Sequence, residues 1–282
     1  MLRSAFLALA SVVLLSCGSG NAAPNSSPST APTTGWTLSW SDEFNGTDGS
    51  AVDTSKWVAE TGGNGFGNQE LESYTARPVN AHIEGNALAI VAQQETYTGA
   101  DGIQRNYTSA RLKTASTFSQ RYGRFEARLQ LPRGQGIWPA FWLLGDNIGS
   151  VGWPQSGEID IMESLGHDST TAYGTIHGPG YSGAQGIQSK YVLPAGQQFA
   201  DGYHTFAIEW EPDQIRFYVD NTLYGTRTPA DLPKGATWVY DHPFFIILNV
   251  AVGGAWPGNP DKTTVFPQKM LVDYVRVYTK AG

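Results

Sequence analysis

Short apolar or alternating runs recur along the chain, separated by clusters of Gly, Pro, Asn and Asp. Beyond the N-terminal segment, no long stretch repeats its apolar residues at the 3.6-residue spacing of an amphipathic helix. The strand-like runs include Ala87–Gln93, Arg121–Leu131, Gly157–Leu165, Thr205–Trp210, Gln214–Asp220, Phe244–Val252 and Met270–Tyr278. Many short strands without helices predict an all-β protein, a sandwich, jelly roll or barrel. Asp220-Asn221, between two such runs, predicts a tight turn.

Composition narrows the picture. The 282 residues include 9 Trp, 13 Tyr and 12 Phe, enough aromatic surface to exclude disorder over most of the chain. With 33 Gly and 16 Pro the protein is rich in loops. A net charge of −7 argues against a nucleic-acid partner, because a polyanion is repelled. The single cysteine excludes a disulfide framework and Cys-rich metal sites.

The N-terminal residues read as an export signal. Arg3 supplies the positive charge, and the apolar run Ala5–Leu15 is too short to span a bilayer as a mature helix. The run ends in Leu14-Leu15-Ser16-Cys17, which resembles the lipobox of bacterial lipoproteins, in which the cysteine becomes the lipidated first residue. Residues 1–17 are therefore expected to be a signal peptide with lipobox Cys17. Residues 18–35 carry no charge and no aromatic side chain and read as a flexible linker. Residues 36–282 form one domain, with neither a second linker nor an internal repeat. The expected location is outside the cell, lipid-anchored to a bacterial membrane or surface, or otherwise secreted.

Ser156–Ser164 is the most informative segment. Side chains on a strand alternate faces, so Glu158 and Asp160 share one face while Ile159 and Ile161 take the other. Strict alternation sends Glu163 to the apolar face, where an unpaired carboxylate is costly. A β-bulge near Met162 returns it to the acidic face. Glu158 and Glu163 then act as residues i and i+4, and side chains leaning inward bring their carboxylates to about 5 Å, the spacing of retaining glycosidases. Three acids on one face raise at least one pKa, giving the combination of carboxylate and carboxylic acid that glycoside cleavage needs. Tryptophans flanked by Gly and Pro surround this segment: Trp138 and Trp142 upstream, Trp153 closer, and Trp256 in Gly253–Gly258. They offer flat surfaces for the C–H faces of sugar rings. Trp40 and Trp210 are expected in the core.

At these residues the chain resembles glycoside hydrolase family 16, its laminarinase-like bacterial endo-β-1,3-glucanases. The likeness is carried by Trp40–Gly46, Gly67–Tyr74, Gly136–Gly145, Gly157–Gly166, Phe244–Gly258, Phe266–Met270 and Val272–Tyr278. It implies a β-jelly roll of two curved antiparallel sheets with a concave substrate groove. It also implies retaining, endo-acting hydrolysis of β-1,3-glucan with Glu158 as nucleophile, Glu163 as acid/base and Asp160 assisting the nucleophile. The residue at Met162 matches the laminarinase-type form of the motif. By the same resemblance Trp138, Trp142 and Trp153 line the donor side, and Asn68 and Arg111 bond sugar hydroxyls. His177 contacts the sugar near the cleavage point, and Trp256 reaches the cleft from another loop. For Arg111 the residues alone leave open a pairing with a carboxylate, and for His177 a structural role.

The family resemblance further implies one structural Ca2+ on the convex side, held by Glu43, the Gly85 carbonyl and Asp273, with no cofactor for catalysis. The expected partner is a β-glucan polysaccharide acted on by a monomer. Alternatives within the family are mixed-linkage β-1,3(4)-glucan, a galactan, or transglycosylation. With 18 Lys and Arg against 25 Asp and Glu, no extended basic cleft for sulfated galactans is apparent. A non-catalytic lectin would have no need of both Glu158 and Glu163.

Overall fold

The computed structural model describes residues 35–280. The expected signal peptide, Cys17 and all but the last residue of the linker lie outside the described residues. Seventeen strands are present among the described residues. The first nine are β1 (Trp36–Asp42), β2 (Val58–Glu60), β3 (Glu72–Tyr74), β4 (Ala81–Glu84), β5 (Ala87–Thr98), β6 (Gln104–Ser109), β7 (Arg111–Lys113), β8 (Gly123–Gln130) and β9 (Ile137–Gly145). The rest are β10 (Glu158–Leu165), β11 (Asp168–His177), β12 (Ile187–Val192), β13 (His204–Glu211), β14 (Gln214–Val219), β15 (Thr222–Arg227), β16 (Phe244–Val252) and β17 (Gln268–Lys280). Every run singled out from the sequence is a strand. A four-residue helix, Ile148–Val151, interrupts the β9–β10 connection.

The strands form a two-sheet jelly roll. One sheet runs β15-β14-β13-β8-β17-β5-β6-β3, with β1 beside β17 and β4 beside β5; the other runs β12-β11-β10-β9-β16-β7-β2. Pairing is antiparallel throughout except between β3 and β6. Consecutive strands are often far apart in the sheets, so the N-terminal β1 closes on the C-terminal β17. At the β14–β15 hairpin Asp220 and Asn221 adopt φ of 46° and 65°, the left-handed backbone that the expected turn requires.

The core lies between the sheets. Phe125, Ala127, Leu129, Phe206, Ile208, Trp210, Val275 and Val277 of the larger sheet belong to one apolar cluster with Phe141, Leu143, Ile159, Ile161, Ile176, Ile246, Leu248 and Val250 of the smaller. Trp210 is fully buried, and Trp40 stacks on Phe118 with ring centroids 5.0 Å apart, so both are packing residues as expected. The unbroken apolar run of β16 follows from its central place in the sheet. Ile246, Leu248 and Val250 enter the core, while Phe245 and Ile247 pack with Leu144 in a second apolar cluster.

The expected bulge is present on β10. Against β9, Asp160 pairs with Trp142 and Met162 with Phe141, so Ile161 is the extra residue. Ile161 and Met162 both enter the core, and Glu163 then pairs with Ala140, back on the face of Glu158 and Asp160. Truncating Met162 tests this placement. A side chain on the acidic face would cost under about 0.5 kcal/mol on Met162→Ala, whereas one in the core costs about 2–5 kcal/mol. Urea unfolding of the variant is expected to show the larger loss.

Candidate active site

The acids sit on the outer face of the smaller sheet, held by neighbouring strands on both sides. On β9 residues 138, 140 and 142 point the same way as the acids, so two indoles flank the row. Trp138 Nε1 donates to Glu163 Oε1 at 3.0 Å. Trp153, in the β9–β10 connection, donates from Nε1 to Glu158 Oε2 at 2.9 Å. On β11, His177 lies directly across from Glu158, and Tyr173 across from Glu163. His177 Nε2 is 3.0 Å from Asp160 Oδ2 and 3.8 Å from Glu158 Oε1. The Tyr240 hydroxyl donates to the His177 carbonyl at 2.8 Å and holds that end of β11.

Burial dominates the electrostatics. Asp160 and Glu163 are 3% and 8% exposed. Burial, and then the charge of Asp160, push the Glu158 carboxyl up to about 8. Burial likewise raises Asp160 to about 8, opposed by its hydrogen bond with Glu158. Glu163 rises well above the usual carboxylate range, through burial first and then the charges of Asp160 and Glu158. Nearby groups separate the two glutamates. His177 and an indole N–H draw both glutamates back down, Trp153 for Glu158 and Trp138 for Glu163; Glu158 is also drawn down by Arg111 and feels Asp160 as repulsion, whereas Glu163 feels both other acids. Of the two glutamates, Glu163 therefore holds its proton the more tightly.

A second network extends from the acids toward β7 and β2. Trp142 Nε1 donates to Asn249 Oδ1 at 2.8 Å, and Asn249 Nδ2 to the Tyr74 hydroxyl at 3.1 Å. Tyr74 donates to Glu70 Oε2 at 2.9 Å, and Asn68 Nδ2 lies 3.2 Å from Glu70 Oε1. Arg111 is sandwiched between the rings of Phe66 and Trp142, at 4.9 and 4.8 Å from their centroids. It donates to Glu60 Oε2 at 2.6 Å, with Lys113 on the other oxygen of that carboxylate at 2.9 Å. Thus Arg111 makes the carboxylate pairing that its sequence left open, and it also braces the Trp142 ring. On the other side Trp256 packs edge-on against Trp138 at 5.6 Å and Tyr173 at 5.1 Å. Trp153 and Trp256 keep 45% and 38% of their surface exposed, unlike the core tryptophans, and border the acid row as open aromatic faces.

All ten residues expected at the site therefore surround one row of acids or its hydrogen-bonded extension. Sequence reasoning did not single out Glu60, Glu70, Glu72, Tyr74, Tyr173 or Asn249. Glu70, Glu72 and Tyr74 lie in the Gly67–Tyr74 block, where acids among aromatics were the available signal. Glu72 is fully buried, accepts the Val252 N–H at 2.6 Å, and is raised well above its usual range by burial and by Glu70.

The expected calcium ligands lie away from this face. Glu43 follows β1, and Asp273 lies on β17 of the other sheet. Both carboxylates are engaged by guanidinium groups: Glu43 by Arg276 at 2.9 and 2.7 Å, and Asp273 by Arg128 at 2.7 Å. A cation bound by these side chains would therefore compete with the two arginines.

Comparison with known proteins agrees with this geometry. Residues 43–276 match the family model described as glycosyl hydrolases family 16. A β-glucanase of Rhodothermus marinus is 44% identical over 246 residues, covering 84% of this chain and 83% of that protein. The laminarinase catalytic domain of Thermotoga maritima superposes with a TM-score of 0.83 at 50% identity, covering 88% of this chain and 100% of that one. The endo-β-1,3-glucanase of Pyrococcus furiosus gives a TM-score of 0.84, also at 50% identity, covering 88% of this chain and 95% of that one. With its jelly roll, its bulged acidic strand and a family match across nearly the whole described region, the chain belongs to glycoside hydrolase family 16.

Proposed function

We propose that the protein is a retaining, endo-acting β-1,3-glucanase. The observation that carries this reading is the placement of Glu158 and Glu163 on one face by the bulge, each held by an indole N–H and each in a different electrostatic setting. The similar proteins named for laminarinase and endo-β-1,3-glucanase activity support the choice of substrate. Glu163 protonates the glycosidic oxygen as Glu158 attacks C1 and the C1–O bond breaks, leaving a glycosyl ester on Glu158. Glu163, now a carboxylate, takes a proton from water, and the water oxygen displaces Glu158 from C1. Asp160 tunes Glu158 through their hydrogen bond. Trp142 and Trp153 provide stacking surfaces on the donor side, Trp256 with Tyr173 on the other. Asn68 and His177 supply polar contacts, with Arg111 bracing Trp142. The protein acts as an exported monomer, anchored through Cys17.

Cleavage of laminarin into mixed oligosaccharides is the expected activity, read as reducing ends and product lengths. Faster release from barley glucan would shift the assignment to β-1,3(4)-glucan, and sugar binding without cleavage would leave a lectin. Glu163→Gln is expected to lower kcat on laminarin by about 10²–10⁴. The loss in kcat/KM, which reports the first step alone, should be much smaller on a dinitrophenyl laminaribioside, whose leaving group departs without protonation; equal kcat/KM losses on both substrates would remove Glu163 from the acid role.

Linkage gives a stability test. The Glu158 carboxyl rises from its ordinary 4.5 to about 8 in the folded protein. The folded state thus binds the proton more tightly, and that stabilisation is complete below the unfolded value and lost as pH rises through the folded one. Glu158→Gln carries no such charge. It is expected to raise Tm by on the order of 10 °C near pH 8, for about 4 kcal/mol, and by only about 2–4 °C near pH 5, for about 1 kcal/mol. Equal shifts at the two pH values would contradict the buried-charge account.

A structural calcium ion remains part of the proposal as a competitor of the Asp273–Arg128 pair. Thermal shift in calcium against EDTA tests it. A Tm raised by calcium in the wild type but not in Asp273→Asn supports the ion, and no calcium effect leaves the arginine pairs as the ties between these segments.

A further inference from the structure

Among the described residues, Glu158, Asp160 and His177 form a group whose metal-ligating atoms all lie within 4.8 Å of one another. Asp160 Oδ2 is buried and accepts no hydrogen bond. His177 Nε2 is only 3.0 Å away, but that approach is not a hydrogen bond. The neighbouring groups hold the set in this arrangement. The Trp153 N–H occupies Glu158 Oε2 at 2.9 Å and leaves Oε1 facing His177 Nε2 at 3.8 Å. Gly186 packs against the imidazole so closely that a Cβ there would lie 2.2 Å from His177 Cε1. The ring is therefore held with Nε2 toward the two carboxylates.

One imidazole nitrogen and two carboxylate oxygens are the donor types of a borderline divalent cation such as zinc. Zinc bonds of about 2.1 Å in a tetrahedral site place ligand atoms about 3.4 Å apart, close to the two separations measured to His177. Magnesium and calcium demand more oxygen ligands than the group offers. Glu158 is the one member of the group that is not buried, and the Trp153 bonded to it keeps 45% of its surface exposed.

We propose that Glu158, Asp160 and His177 capture a zinc-type cation in the substrate-free protein, and that cation and glucan exclude each other. The capture stands on the donor geometry alone; the exclusion rests on the assignment of Glu158 as nucleophile. A cation bridging Glu158 and Asp160 occupies the oxygen that must reach C1, so the glucanase is switched off while zinc is bound.

Calorimetric titration of zinc chloride into the full chain without substrate tests the capture. One ion per chain is expected, with no signal from magnesium chloride, and with affinity lowered about tenfold or more in His177→Asn. Glu163→Gln, which is not a ligand, should keep the affinity within about threefold, and saturating laminaritetraose on that variant should weaken zinc binding about tenfold. With wild type, zinc should raise KM for laminarin and leave kcat unchanged. Absence of binding, or equal affinity in a folded His177→Asn variant, overturns the proposal. Should that variant fail to fold, zinc affinity unaffected by laminaritetraose overturns it instead. Laminarin cleavage measured without zinc keeps the two readings separate. Cleavage without zinc binding refutes only the capture, and zinc binding without cleavage refutes only the glucanase assignment.

Discussion

The architecture of the site depends on one irregularity in one strand. In β10 the extra residue at Ile161 sends two consecutive apolar side chains into the core and returns Glu163 to the face of Glu158 and Asp160. A regular strand of this sequence would bury a carboxylate among Phe141, Leu143 and Ile176 or expose Met162, and either is unfavourable. The bulge removes the conflict at the cost of local ladder hydrogen bonds. It is sustained because β9 and β11 pair with β10 on both sides and the core packs beneath it.

Three buried acids side by side are intrinsically destabilising, and the fold meets that cost by placing polar atoms around them without giving each acid a counter-ion. The indoles of Trp138 and Trp153 each donate one hydrogen bond, and His177 lies beside two of the carboxyls. None of these groups is a full permanent cation, so the acids remain raised and the proton stays available. A lysine or arginine in their place would favour the ionised carboxylates and lower their pKa values. Arginine is present nearby, but Arg111 is committed to Glu60 and to the rings of Phe66 and Trp142. Its charge reaches Glu158 only as a minor influence.

The outer face of the larger sheet follows the opposite rule. There acids meet guanidinium groups directly, as in Glu43 with Arg276, Asp273 with Arg128, and the buried pair of Glu126 with Arg124 at 2.8 Å. The two faces thus use the same residue types for different ends: full pairing ties distant segments together on one, and incomplete pairing leaves reactive groups on the other.

The sequence by itself determined the strand content, the acidic row, the need for a bulge and the tryptophans around it. These are local properties: period-2 alternation, turn residues and the cost of burying a charge are all legible within about ten residues. Tertiary structure decided what comes from afar. Register across β7, β16 and β9 brings Arg111, Asn249 and Trp142 into one network, and β3 adds Tyr74 to it from a distant part of the chain. That Glu43 and Asp273 face arginines also follows from sheet order, since β17 lies between β8 and β5 and beside β1. Periodicity specifies which face a side chain takes, but its partners are set by strand order and register, which the packing of the two sheets selects.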